Sequence, residues 1–469
     1  MEYIKYQSPK IGKKAKRLID RDKQVMFGAH TRTREIPLVV NKARGAWITD
    51  IQGKKYLDFG AGFAVVGTGH CHPEVIKAVN KQIRKLIHIS GSDFYYEPQI
   101  ALAEKLIEIT PGDFEKRVYF GSSGAEAIEA SLKISRYYTR RPKMISFLGG
   151  FHGRTFAGMT MSGSKKVQRA HFSALIPEVC HIPYPYCYHC IFNQTYPECI
   201  KKEFDGVPLL YCLSYLTDVI FERLLDPEDV ALIMVEPIQG EGGYIVPPQE
   251  FLPALRAIAD KYGIALIFDE IQSGLGRTGK WFACDHVNIA PDIILIAKAI
   301  ASGLPMSATV GKAEFMDSEV DSRAWVAGAH GSTFGGNPVI AAAGIASLEL
   351  IENGMIENAR IIGEYLKNGL TEIMNRHKII GEVRGLGLMI GLEIVQHKET
   401  KEHFPKTVTR DGKNIKEVIT GECFKRGLII YGAGFNSIRI SPPLIITRDE
   451  ADIAIKIIEE VVKFVESQL

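Results

Sequence analysis

Five short apolar runs are spaced through the middle of this chain: RVYFGSS (117–123), MISFL (144–148), ALIMVEPI (231–238), IALIFDE (264–270) and DIILIA (292–297). Each is bounded by turn residues, and helical periodicity occupies stretches such as 97–110 and 125–140. Strands that alternate with helices, and that are apolar on both faces, fit a largely parallel sheet covered by helices on both sides. The expected fold class is therefore α/β. After about residue 337 the texture changes. A long helical stretch (338–376) leads into GEVRGLGLMIGLEI, another helix, RGLIIYG and SIRISPPL, which reads as a smaller α+β domain. Near residue 50, GAWITDIQGKKYLDF reads as a hairpin turning at GlnGly that joins this smaller domain. The organisation expected is residues 1–70 packing with the small domain, 71–337 as the large domain and 338–469 as the small one.

With 469 residues, 46% of them hydrophobic, the chain can bury a large core. Its 57 basic against 54 acidic residues leave a net charge of +3, which argues against a nucleic-acid footprint or a polybasic membrane anchor. The first residues, MEYIKYQSPKIGKKAKRLIDRDK, lack the apolar core of a signal peptide, and no apolar run looks long enough to span a bilayer. A soluble, cytoplasmic protein is expected. Five of the eight cysteines (Cys180, Cys187, Cys190, Cys199 and Cys212) fall in one stretch that includes a CxxC. A loop with free thiols, a disulfide and a metal site with Cys199 or His189 all remain open there; no metal is assigned to the functional site. Segments such as DIAIKIIEEVVKFVE hint at a heat-adapted source.

Ligands of open α/β sheets bind beyond the carboxyl ends of the strands, and three such ends carry unusual groups. In ILIAKAIASGLP (294–305), Lys298 interrupts an apolar run. Such a lysine either snorkels to water or is kept neutral so that its amine can attack a carbonyl. Asp269 closes IALIFD, where it is an N-cap for the next helix or the partner of a cation. In FGSSGAEAIEASLKISR (120–136), a Gly/Ser turn opens a helix whose backbone amides suit a phosphate, with Ser122 and Ser123 as further donors. One strand–connection–strand step separates Asp269 from Lys298, so both should emerge at neighbouring strand ends. A phosphate cradle, a strand-end aspartate and a lysine together suit pyridoxal 5′-phosphate. The lysine would hold it covalently and the aspartate would keep its ring nitrogen protonated.

From about residue 38 to 465 the chain resembles the class III (ω-) aminotransferases, which are fold type I pyridoxal-phosphate enzymes. The resemblance is carried by GHCHPEV (69–75), SSGAEAIEASLK (122–133), FHGRT (151–155), EPIQGEGG (236–243), FDEIQSGLGRTG (268–279), AKAIASGLP (297–305), STFGGNP (332–338) and IRISPPL (438–444). It implies that Lys298 is the covalent lysine and that Gly124 and Ala125 give amides to the phosphate. It also implies that Phe151 stacks on the ring beside His152, that Gln272 meets the ring's phenolic oxygen, and that Thr333 reaches the phosphate across a homodimer interface.

The same resemblance implies a substrate site. Arg439 would take the α-carboxylate of glutamate or 2-oxoglutarate, Arg154 the distal carboxylate, and Glu241 would pair with Arg439 when the donor has no α-carboxylate. Phe63 stands where ornithine aminotransferases carry a tyrosine, which leaves ornithine beside 4-aminobutyrate and lysine as donor. The reading is a ping-pong transfer of an ω-amino group to 2-oxoglutarate. A racemase or epimerase of the same family is the alternative; in those relatives an aspartate stands near the position of Glu241.

Overall fold

The computed structural model describes residues 4–28, 36–173 and 175–469. Near the N-terminus, β1 (Val40–Arg44), β2 (Trp47–Asp50) and β3 (Lys55–Asp58) form an antiparallel meander. The β2–β3 turn is set by Asp50, whose Oδ1 accepts from the amides of Gln52 (2.8 Å) and Lys54 (2.9 Å), and by Gly53 at φ 90°.

The middle of the chain supplies β4 (Lys116–Gly121), β5 (Lys143–Phe147), β6 (Val179–Ile182), the separate hairpin β7 (Ile200–Phe204) and β8 (Val207–Leu210), then β9 (Val230–Val235), β10 (Ala265–Asp269), β11 (Ile293–Ile296) and β12 (Ser307–Lys312). Seven of these make one sheet in the order β4-β12-β11-β10-β9-β5-β6. Every pairing from β11 to β6 is parallel, and β12 runs antiparallel to both its neighbours. All residues of β9, β10 and β11 are buried, in keeping with their apolar composition, which only the strand-end Asp269 interrupts. Each Leu or Ile withdrawn from water there contributes roughly 1.5–3 kcal/mol. The antiparallel β12 departs from the simple alternation; its sequence, SATVGK, is not an apolar run.

The C-terminal part contains β13 (Ile380–Leu386), β14 (Met389–Ile394), β15 (Leu428–Ile429), β16 (Tyr431–Ala433) and β17 (Ser437–Ile440). Four of them form an antiparallel sheet ordered β13-β14-β17-β16. β15 instead pairs in parallel with β3, which ties the N-terminal meander to the C-terminal part.

By length and apolar composition, helix 338–376 is long enough to cross a membrane, which corrects the expectation that no such stretch exists. It is a core element here. Its first half packs against helices Pro73–Ile83 and Glu97–Ile109, and Ala341, Ala343 and Leu348 are fully buried. It is also broken at Asn353 and Gly354, whose backbone angles are not helical.

Candidate active site

Asp269 ends β10, and Lys298 follows β11 by two residues; the strands are parallel neighbours, with Asp269 opposite Leu295. Both residues therefore leave the sheet at the same edge. Lys298 adopts a left-handed backbone conformation, φ 46°, which costs a non-glycine residue on the order of 1–2 kcal/mol. Packing imposes it. Ser302, at the end of this turn, accepts hydrogen bonds from the backbone N–H (3.2 Å) and hydroxyl (2.8 Å) of Thr68. A Cβ at Gly67 would stand 2.9 Å from the Ala299 Cβ, so only glycine allows the two segments to approach this closely.

The helix Gly124–Thr139 starts at the same edge. A Cβ at Gly124 would lie 3.0 Å from Ile271 Cδ1 and 3.7 Å from Ala297 Cβ, so this helix start abuts the turns after β10 and β11. A Cβ at Gly153 (φ 107°) would lie 3.3 Å from the Ala125 Cβ, which brings the FHGRT loop to the same place. Gly124, Ala125, His152, Asp269 and Lys298 are thus gathered from four segments. Ser123 spends its hydroxyl as the N-cap, accepting from the Glu126 N–H (3.3 Å), while the Ser122 amide donates to the Glu126 carboxylate (3.0 Å).

Burial sets the electrostatics. Asp269 Oδ2 meets His152 Nδ1 at 2.8 Å, and Oδ1 accepts from the Ile271 amide at 3.1 Å. Burial pulls the His152 pKa down, but the hydrogen bond and charge of Asp269 outweigh it, so His152 is easier to protonate than an ordinary histidine. Glu236 is buried beside them; its two oxygens accept the amides of Phe151 and Gly240, each at 2.8 Å. Desolvation, reinforced by the Asp269 charge, pushes its carboxyl up to about 7. Lys298 is pushed down to about 8, first by desolvation, with Asp269 and Glu236 pulling against it. Among the described residues its amine has no hydrogen-bond or ion-pair partner, so a neutral nucleophile is available near physiological pH.

A second cluster lies where β17 meets the EPIQGEGG segment. Arg439 Nη1 donates to Glu241 Oε2 at 3.0 Å, and the Lys165 ammonium donates to Glu241 Oε1. Burial raises the Glu241 pKa, but Arg439 and Lys165 more than offset it, leaving the carboxylate more acidic than usual. The Arg439 guanidinium lies 4.8 Å from the centre of the Phe63 ring, and Phe63 stacks on Tyr431 at 4.5 Å. Phe63 itself is left-handed, φ 65°, between Gly62 and Ala64 in the same conformation. Gln272 Nε2 donates to the Phe63 carbonyl at 3.4 Å, which links this cluster to the turn after Asp269.

Two expected residues stand apart. Arg154 is exposed, with its guanidinium 5.9 Å from the Phe151 ring centre and no ion pair among the described residues. Thr333 is exposed on the loop before helix 338–350. Three residues that matter here were not singled out from the sequence. Glu236 lay inside a quoted motif, Tyr431 in a short strand, and Lys165 in SGSKK, a segment with no distinguishing pattern.

The sequence profile of the family Aminotransferase class-III matches residues 29–462. The chain belongs to the class-III aminotransferase family. It is 39% identical over 466 residues to an alanine/serine racemase of Pyrococcus horikoshii, covering 99% of this chain and 93% of that protein. It is 36% identical over 427 residues to a 5-aminovalerate aminotransferase of Pseudomonas putida, covering 90% of this chain and 93% of that one. An amine transaminase from an uncultivated Pseudomonas species, solved in its pyridoxal-phosphate-bound form, superposes with a TM-score of 0.83 at 29% identity, covering 94% of this chain and 97% of that one. The fold is that of the fold type I enzymes, and pyridoxal 5′-phosphate is the cofactor.

The residues present fit that group. Among the described residues the Lys298 amine is unpartnered, and the Asp269 carboxylate, with one hydrogen bond on each oxygen, retains accepting capacity for a ring N–H.

The cysteine stretch carries free thiols; none of its cysteines forms a disulfide.

Proposed function

We propose that this class-III enzyme transfers an ω-amino group from a donor of the 4-aminobutyrate, ornithine or lysine type to 2-oxoglutarate. The observation that carries the reading is the ion pair of Arg439 with Glu241. Arg439 is buried, its Nε has no hydrogen-bond partner among the described residues, and Nη1 is spent on Glu241. When Glu241 withdraws, the planar fork can take a carboxylate in two parallel bonds. A donor without an α-carboxylate leaves the pair closed; glutamate opens it. Lys165 gives the displaced Glu241 a second cation to hold.

Bound pyridoxal 5′-phosphate supplies an electrophilic carbon and a sink for the electrons released at the substrate carbon. Lys298 would hold it covalently and then, as a free amine, carry the proton at that carbon. Asp269, kept in place by His152, would hold the ring nitrogen, Phe151 would lie against the ring, and Gly124 and Ala125 would offer amides to the phosphate. Thr333 would reach that phosphate across a homodimer interface, which accounts for its exposure in a single chain.

The second reading, amino-acid racemisation, is favoured by the Pyrococcus horikoshii relative, which matches 99% of the chain. Racemisation needs a second acid/base besides Lys298. A Glu241 clamped by two cations and held more acidic than usual is a poor proton donor at neutral pH.

Stopped-flow absorbance of the two half-reactions in Glu241→Gln tests the proposal. The glutamate half-reaction should hold or speed up, and the 4-aminobutyrate half-reaction should slow by about tenfold, one lost charge-assisted contact. Equal slowing of both, with loss of D-isomer formation in a chiral assay, would sink the switch and favour racemisation.

A further inference from the structure

Away from the active site, three side chains converge from three segments. His189 comes from the turn Cys187–His189, Glu393 from β14, and His403 from the loop that follows it. Their ligand atoms all lie within 4.8 Å of one another, and among the described residues this is the one group of three or more His, Cys, Asp or Glu donors that close.

The division of labour on Glu393 is uneven. Its Oε2 accepts from Tyr186 (2.6 Å), Ser437 (2.6 Å) and Arg384 (2.9 Å). Its Oε1 instead pairs with the two imidazoles, facing His189 Nε2 at 3.6 Å and His403 Nδ1 at 4.0 Å. The His189 Nε2 is buried with no hydrogen bond of 3.5 Å or less among the described residues. The two imidazole rings lie 4.2 Å apart, tilted by 36°. One alternative partner exists: the Asn436 amide, turned with its oxygen toward His403, accepts Nδ1–H at 3.3 Å. A metal at Nδ1 would replace that bond.

We propose that His189, Glu393 and His403 bind a zinc-class divalent transition metal that pins the Cys187–His189 turn to the C-terminal sheet. Two neutral imidazoles and one carboxylate are the donors of such an ion, not of magnesium or calcium. Around a tetrahedral zinc, donors 2.0–2.2 Å from the metal stand roughly 3.4 Å apart. Closing the present spacing to that value requires the two rings to turn toward the metal, and water would fill the fourth position. The site is structural in placement: Arg384, which shares Glu393, also donates to the Gly243 carbonyl at 2.7 Å, two residues from Glu241. The sequence left a metal open in this stretch with Cys199 or His189 as a ligand; this reading takes His189 and not the cysteine. Cys187, Cys190, Cys199 and Cys212 line a neighbouring cavity, but among the described residues no three of them bring their sulfurs within 4.8 Å of one another.

Metal analysis of the full-length, pyridoxal-phosphate-loaded protein after exposure to zinc and removal of the excess tests the site. Wild type and Cys187→Ser/Cys190→Ser should each retain one zinc per chain, and His189→Gln and His403→Gln should retain less than a tenth of that. The melting temperature of wild type should rise with zinc over EDTA, and the rise should vanish in both histidine variants. X-ray absorption of zinc-loaded wild type needs no variant; it should show nitrogen and oxygen donors near 2.0–2.1 Å and no sulfur near 2.3 Å. Failure of wild type to retain zinc, retention by either histidine variant, loss in the cysteine variant, or a sulfur shell would each overturn the assignment.

Discussion

The acidity of Lys298 can be measured through its reactivity. Burial brings its amine down to about 8 from the ordinary 10.5, with Asp269, Glu236 and Glu241 opposing the shift and Arg439 adding to it. At pH 7 a group of pKa 8 is about one-tenth neutral, whereas an unperturbed lysine is neutral in about 3 molecules per 10,000. Covalent capture of pyridoxal 5′-phosphate by the cofactor-free chain should therefore outpace that of a free lysine side chain by about 300-fold from neutral fraction alone. The assay is stopped-flow visible absorbance between pH 6 and 11, with an Nα-blocked lysine as control and Lys298→Ala as the blank. The pH midpoint should fall near 8.

Glu236→Gln removes a carboxylate that favours the charged amine, so the midpoint should move lower and capture at pH 7 should quicken, by at most about tenfold because one-tenth is already neutral. The difference is cleanest above pH 7, where Glu236, itself raised to about 7, is ionised. A midpoint near 10.5, or an upward shift in Glu236→Gln, would refute the reasoning. The sign for stability follows. A lysine harder to protonate when folded destabilises the cofactor-free fold by up to about 3 kcal/mol below pH 8, and the penalty fades as pH rises toward 10.5.

Asp269→Asn should lower the His152 pKa, read by imidazole NMR, because it removes the group that offsets burial, and should weaken cofactor binding by at least about tenfold; an unmoved His152 titration would count against the pair. The contribution of His152 to stability should be present at low pH and fade as pH rises through its raised folded pKa, and Asp269→Asn should flatten that part of the stability–pH curve. Gly67→Ala should cost about 1–3 kcal/mol and lower the melting temperature, because its methyl would meet Ala299 at 2.9 Å; an unchanged melting temperature would show that the 66–68 segment does not hold the Lys298 turn.

The apolar runs became β4, β5, β9, β10 and β11; in the fully buried β9, β10 and β11 every residue before the strand-end Asp269 is apolar, and that pattern survives in one dimension. β12 was invisible for the converse reason. SATVGK is too small and polar to stand out, and it becomes a buried central strand only because β4 and β11 offer their edges to it. Helix 338–376 was legible as a helix, but its break at Asn353 and Gly354 depends on local backbone angles.

At the site, a charge set in an apolar context can be seen in the sequence alone, which is why Lys298 and Asp269 stood out. What the sequence could not supply is the partner of each charge. Glu241 meets Lys165 across 76 residues and Arg439 across 198, and Asp269 meets His152 across 117. Hydropathy and spacing are local signals, while an ion pair depends on where two distant strand ends come to rest. The sequence by itself determined the layers, the strand-end lysine and the family. Tertiary structure alone decided which carboxylate faces which cation, how far burial moves each proton, and that His189, Glu393 and His403 share one corner.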